Sequence, residues 1–168
     1  ITEQQLVSEG EKITRITYST PLGSVYIDEK RGAGYGEYKG LRNWMCEVPW
    51  QTGRFIKKPE DYKIVKYIVE HTEYRPNYFP IEQAKEWLGT DGIVADRHEH
   101  SPMQMLMIDW VGSEQGRFFI HYAKYRDLVE DLYQAVSKSR EPLYEIAAKS
   151  PADVIYCADN IDGVLVNP

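Results

Sequence analysis

Long hydrophobic runs, a surplus of basic charge and paired cysteines are all missing from this chain, and each absence narrows what it does. No apolar stretch approaches the roughly 18 residues that cross a bilayer, and no basic-then-apolar leader opens the sequence, so no membrane partner is expected. Asp and Glu outnumber Lys and Arg by 26 to 20, for a net charge of −6. That balance argues against nucleic-acid and anionic-membrane binding, both of which need a basic face. Only two cysteines occur, Cys46 and Cys157, far apart and in no CxxC or metal-type spacing. A disulfide framework is therefore not predicted, and the reducing cytoplasm is the expected compartment. An initiating methionine is also missing: the chain opens Ile1-Thr2-Glu3 and stops at Val166-Asn167-Pro168, directly after a strand-like segment. A fragment of a longer polypeptide is expected.

What the chain does have is aromatic residues, 13 Tyr and 4 Trp, in a composition that is 42% hydrophobic and 27% charged. Those proportions are globular, and 168 residues suffice for a single domain with a real core. Residues 13–18 and 24–28 alternate β-branched or aromatic with polar side chains around Thr20-Pro21-Leu22-Gly23, which predicts a β-hairpin. An irregular connector, rich in Gly, Tyr and Trp, is expected up to residue 55; Gly34-Tyr35-Gly36 lacks the strand-to-helix context of a phosphate cradle.

From residue 56 the period changes. Pro59, with Glu60 and Asp61 behind it, opens a helix carrying Tyr62, Val65, Ile68 and Val69 at helical spacing, and a second helix near Ile81 to Leu88 ends at Gly89. A buried strand is predicted over Gly92 to Ala95. It leads into the ionisable run Asp96-Arg97-His98-Glu99-His100 and then a helix capped by Ser101 with Pro102 at its first position. Further helices follow around Phe118 and Phe119 and from Tyr125, with a break at Pro142. A second short strand, Asp153 to Ala158, again ends in polar residues: Asp159, Asn160 and Asp162. Strand, helices and strand at this spacing predict a parallel pair whose polar ends share one sheet edge, the edge where α/β folds bind ligands.

The order Thr20-Pro-Leu-Gly23, Phe55-Ile-Lys-Lys-Pro-Glu-Asp-Tyr62, Asp91-Gly-Ile-Val, Ser101-Pro102, Tyr144-Glu-Ile-Ala147 and Ala158-Asp-Asn-Ile-Asp-Gly163 resembles the uroporphyrinogen decarboxylase family, in the branch related to cobalamin-dependent methyltransferases. The resemblance implies an α/β fold, here a fragment of a (β/α)8 TIM-type barrel with an N-terminal β-hairpin insertion and parallel strands alternating with helices. It implies a lyase or methyltransferase parent, decarboxylating a tetrapyrrole or moving a methyl group with a corrinoid. The chain itself would be inactive alone, with zinc and a corrinoid as cofactors of the full-length parent only. A small-molecule substrate, a corrinoid protein and further copies of the chain are the implied partners. The arginine motif that holds substrate carboxylates in true uroporphyrinogen decarboxylases has no match here, and neither has the His-x-Cys zinc motif of the methyltransferases.

The candidate site residues fall at the two strand ends. Asp159 and Asp162 are the candidate catalytic carboxylates, able to stabilise a cationic intermediate or orient a methyl donor; the other reading is a loop whose Asx side chains bond nearby amides. Arg97 is a candidate carboxylate or phosphate ligand, against a salt bridge to Asp96 or Glu99. His98, His100 and Asn160 complete the candidate substrate contacts. His98 and His100, two apart, either line a polar loop or bind a metal with a third ligand from across the sheet edge, and no metal is assigned to them. The second hypothesis, from another class, is a non-catalytic binding or assembly module that self-associates through open sheet edges.

Overall fold

Alternation of inward apolar and outward polar residues builds the first of two units, Ile1–Tyr67, around an antiparallel sheet. The computed structural model describes residues 1–8, 11–30, 37–39, 45–47, 50–157 and 159–160. Strands β1 (Thr2–Ser8), β2 (Glu11–Thr20) and β3 (Gly23–Lys30) run consecutively, and a short strand, Trp50–Gly53, closes the sheet beside β3. Two shorter strands, β4 (Glu37–Lys39) and β5 (Met45–Glu47), pair with each other, so Trp50–Gly53 is β6.

The hairpin joins β2 and β3 through Pro21 and Leu22, with Thr20 opposite Gly23. Gly23 needs its missing side chain, because its φ is +132° and a Cβ there would lie 3.0 Å from Ile64. Thr14, Ile16, Val25 and Ile27 are buried, as are Tyr62, Ile64, Val65 and Val69 of helix α1 (Pro59–Glu70). The start of α1 is held by buried Asp61, whose carboxylate accepts the amides of Lys57 at 2.9 Å and Lys58 at 3.1 Å.

The second unit, Ile68–Pro168, is mainly helical. Helix α2 (Phe79–Leu88) ends at Gly89 (φ +56°), and strand β7 (Ala95–His98) follows. A short α-helical turn, α3 (Pro102–Gln104), widens into a π-helical stretch over Met105–Trp110, where the Val111 amide reaches back five residues to Leu106. Helices α4 (Arg117–Lys124), α5 (Arg126–Ser139) and α6 (Glu141–Ala148) lead to strand β8 (Val154–Cys157). Met105, Leu106, Met107, Val111, Phe118, Val129, Leu132 and Val136 are among the buried apolar residues of this unit. Pro142 sits in the first turn of α6, the position a helix tolerates, so the break falls just before it.

This architecture overturns the barrel-fragment expectation. The largest sheet is antiparallel and four-stranded, and the only parallel pairing among the described residues is β7 with β8. The hairpin is the centre of the larger sheet rather than an insertion into a parallel one. Part of the expected connector is strand, whereas Gly34-Tyr35-Gly36 lies outside the described residues. The strand expected over 92–95 forms three residues later. Asp153 explains the shift: its backbone amide bonds the Val94 carbonyl at 2.9 Å and its carboxylate takes the Val94 amide at 2.9 Å, so the ladder starts after Val94.

Candidate functional site

Because β7 covers Ala95–His98, the ionisable run is mostly strand and its side chains alternate. Asp96 is half-buried and His98 is buried, whereas Arg97 is exposed. The parallel register sets Asp96 opposite Ile155, Arg97 opposite Tyr156 and His98 opposite Cys157. The two polar strand ends therefore lie side by side, and hydrogen bonds tie the segments beyond them.

The expected Ser101 cap is replaced by one from the neighbouring strand end. Ser101 makes no side-chain cap; its backbone amide donates to Asp159 Oδ1 at 2.8 Å. Three residues after Ser101, Gln104 Nε2 donates to the carbonyl of Asn160, the residue that follows Asp159, at 3.0 Å. Asp159 thus holds the start of α3 with one oxygen, and Asn160 is tied through its backbone while its side chain is exposed. Asp162 lies outside the described residues.

His98 is the buried centre. Its ring stacks on Tyr144 of α6 with centroids 5.2 Å apart, its Nδ1 lies 3.4 Å from the Glu99 carbonyl, and its Nε2 has no partner among the described residues. A buried imidazole nitrogen without a partner costs about 1–3 kcal/mol, which makes it a candidate ligand contact. Beside it opens a cavity of about 200 Å³ between β7, α2 and α6, walled by Tyr78, Ile81, Leu143 and Ile146 with Asp96 and His98 at its polar end. The Tyr78 hydroxyl is occupied in bonding the Ile146 carbonyl at 2.8 Å, which fixes that wall.

A second, wider cavity of about 340 Å³ lies toward the π-helical stretch, lined by Arg97, His98, Glu99, His100, Met105 and Asp109. His100 does not share a ligand with His98. Its Nδ1 pairs with Asp109 Oδ2 at 2.9 Å. Glu99 pairs with Arg140, a residue only 2% exposed that also donates to the His100 carbonyl at 3.0 Å and lies 3.3 Å from the Met105 sulfur. Arg97 makes no ion pair with Asp96 or Glu99 and is left without a partner among the described residues.

Three of these groups were not singled out by sequence reasoning. Arg140 occupies the break between two helices, where a cation reads as solvated. Gln104 and Asp109 lie on a stretch whose π geometry no periodicity discloses; the Ser-Pro helix start is the one cue that placed it near the strand ends. No three His, Cys, Asp or Glu side chains gather to hold a metal among the described residues, and Cys157 stands alone and exposed. Compared with family models, curated proteins and solved structures, the chain matches none of them.

Proposed function

We propose that this chain carries a small-molecule pocket of an enzyme similar to the uroporphyrinogen decarboxylase family, acting in tetrapyrrole decarboxylation or in corrinoid-dependent methyl transfer. The observation that carries it is His98 Nε2, buried without a partner at the end of a cavity. Support also comes from where the family-like motifs lie. Ser101, Tyr144, Ile146 and Asp159 are scattered over 58 residues of sequence, yet they meet at the strand ends or wall the cavity.

Cavities of about 200 and 340 Å³ admit only one edge of a macrocycle, corrin or porphyrin, so their size does not separate methyl transfer from decarboxylation. In this reading His98 Nε2 and Asp96 are the polar contacts the ligand meets, and Ile81, Leu143 and Ile146 supply the apolar ones. Zinc, which in methyl transfer supplies an activated thiolate, finds no ligand set among the described residues, so no step is assigned to it here.

Titration with methylcobalamin followed by absorbance tests this reading, with uroporphyrin as the second arm. Micromolar binding of methylcobalamin, weakened about tenfold or more in His98→Ala, is expected for methyl transfer. Binding of uroporphyrin alone would assign the function to decarboxylation, and binding of neither would remove both.

The assembly hypothesis has its own observation. Parallel strands are normally covered on both faces, yet Val154, Ile155 and Tyr156 of β8 are 43%, 39% and 46% exposed. A second copy pairing at this edge would cover them.

A further inference from the structure

The wider cavity holds a second kind of chemistry. Glu99 pairs with Arg140, and Asp109 Oδ2 lies 2.9 Å from His100 Nδ1, which leaves Arg97 without an ion pair among the described residues. A carboxylate such as Asp109 accepts from Nδ1–H, and in the neutral form of the ring that arrangement leaves Nε2 as a lone-pair acceptor. His100 Nε2 has no hydrogen-bond partner among the described residues, and His98 Nε2 is likewise unpartnered nearby.

We propose that Arg97, His100 and Asp109 form a binding site for a phosphate monoanion or phosphate monoester, in which His100 takes up the phosphate proton. An arginine fork matches two phosphate oxygens, and a P–OH group supplies the donor that Nε2 lacks. The proton leaves the P–OH oxygen for His100 Nε2. The O–H bond breaks, the N–H bond forms, the imidazolium is held by Asp109, and the added negative charge on the phosphate falls to Arg97. An ionised carboxylate is acceptor-only and brings no proton to a neutral ring. The site shares the strand ends and the Arg97 side chain with the pocket proposed above, whereas His100 and Asp109 line only the wider cavity, so variants of Asp109 separate the two.

The test has two parts. Long-range proton–nitrogen NMR of the wild-type chain is expected to show His100 in the Nδ1–H tautomer; a mixed or Nε2–H tautomer would overturn the proposal. Titration with inorganic phosphate is then expected to shift the His100 Nε2 resonance toward the protonated value. Binding should weaken about tenfold or more in Arg97→Gln, an exposed position that leaves the fold intact, and Asp109→Asn should abolish the nitrogen shift. Acetate producing an equal response, or phosphate producing none, would contradict it. Because Arg97 lines both cavities, Asp109→Asn is the variant expected to leave methylcobalamin binding unchanged.

Discussion

Arg140 shows how a single side chain sets the geometry of the strand end. It is 2% exposed, and its guanidinium reaches the Glu99 carboxylate, the His100 carbonyl and the Met105 sulfur. The Glu99 carboxyl is 60% exposed, so solvent screens that leg and it contributes little. The buried carbonyl and the volume of the side chain matter more. Arg140→Ala is expected to lower stability by about 2–4 kcal/mol, read as a reduced urea midpoint. A loss below about 1 kcal/mol would show that the residue does not hold the loop. Sequence reasoning misses Arg140 because burial of a cation is a property of what folds over it.

His121 adds a pH dependence to the same unit. Burial holds it below the ordinary histidine range, and the nearby cations Arg117 and Lys124 push in the same direction. The unfolded chain therefore binds this proton more readily, so the contribution to stability is complete above the ordinary value of about 6.5 and is lost as pH falls through the lower folded value. Thermal melts across pH 7 to 5 should show this fall, and His121→Gln should flatten it. An unchanged slope in the variant would assign the dependence elsewhere.

Among the elements, the β2–β3 hairpin was the most legible. Pro21 and Gly23 punctuate two runs of period two, and local signals of that kind need no tertiary information. Gly23→Ala is expected to cost about 1–3 kcal/mol, because φ of +132° is strained for any side chain and Ile64 blocks the Cβ. A neutral effect in denaturant would mean that the turn relaxes. By contrast, the start of β7 was misplaced because it depends on Asp153, a residue almost 60 positions away that also bonds Lys85 Nζ at 2.7 Å. The Lys85 and Val94 hydrogen bonds hold the Asp153 carboxyl below the usual carboxylate range, and this support is lost as pH falls through its folded value. Asp153→Ala should speed amide hydrogen exchange at Val94 while leaving the β2–β3 amides unchanged; equal protection in both proteins would remove its anchoring role.

At the scale of the whole molecule, the sequence period announces strands first and helices after them, and the two units follow that order. What it does not announce is how strands pair. Hairpin neighbours read as such, but the parallel expectation was extended from one real pair, β7 with β8, to a barrel that the antiparallel sheet excludes. No helix among the described residues is long and apolar enough to cross a membrane. The exposed β8 residues predict concentration-dependent self-association by light scattering, reduced in Ile155→Lys, which places a charge at the open edge. A monomer at every concentration would remove the assembly reading and leave the pocket untouched.

The central claim is that a ligand atom completes the buried ring of His98. It is tested most directly by following the His98 ring nitrogens by NMR through a methylcobalamin titration. The predicted result is a saturable shift of Nε2, accompanied by a shift of the stacked Tyr144 ring. Saturation of binding with both rings unmoved would contradict it.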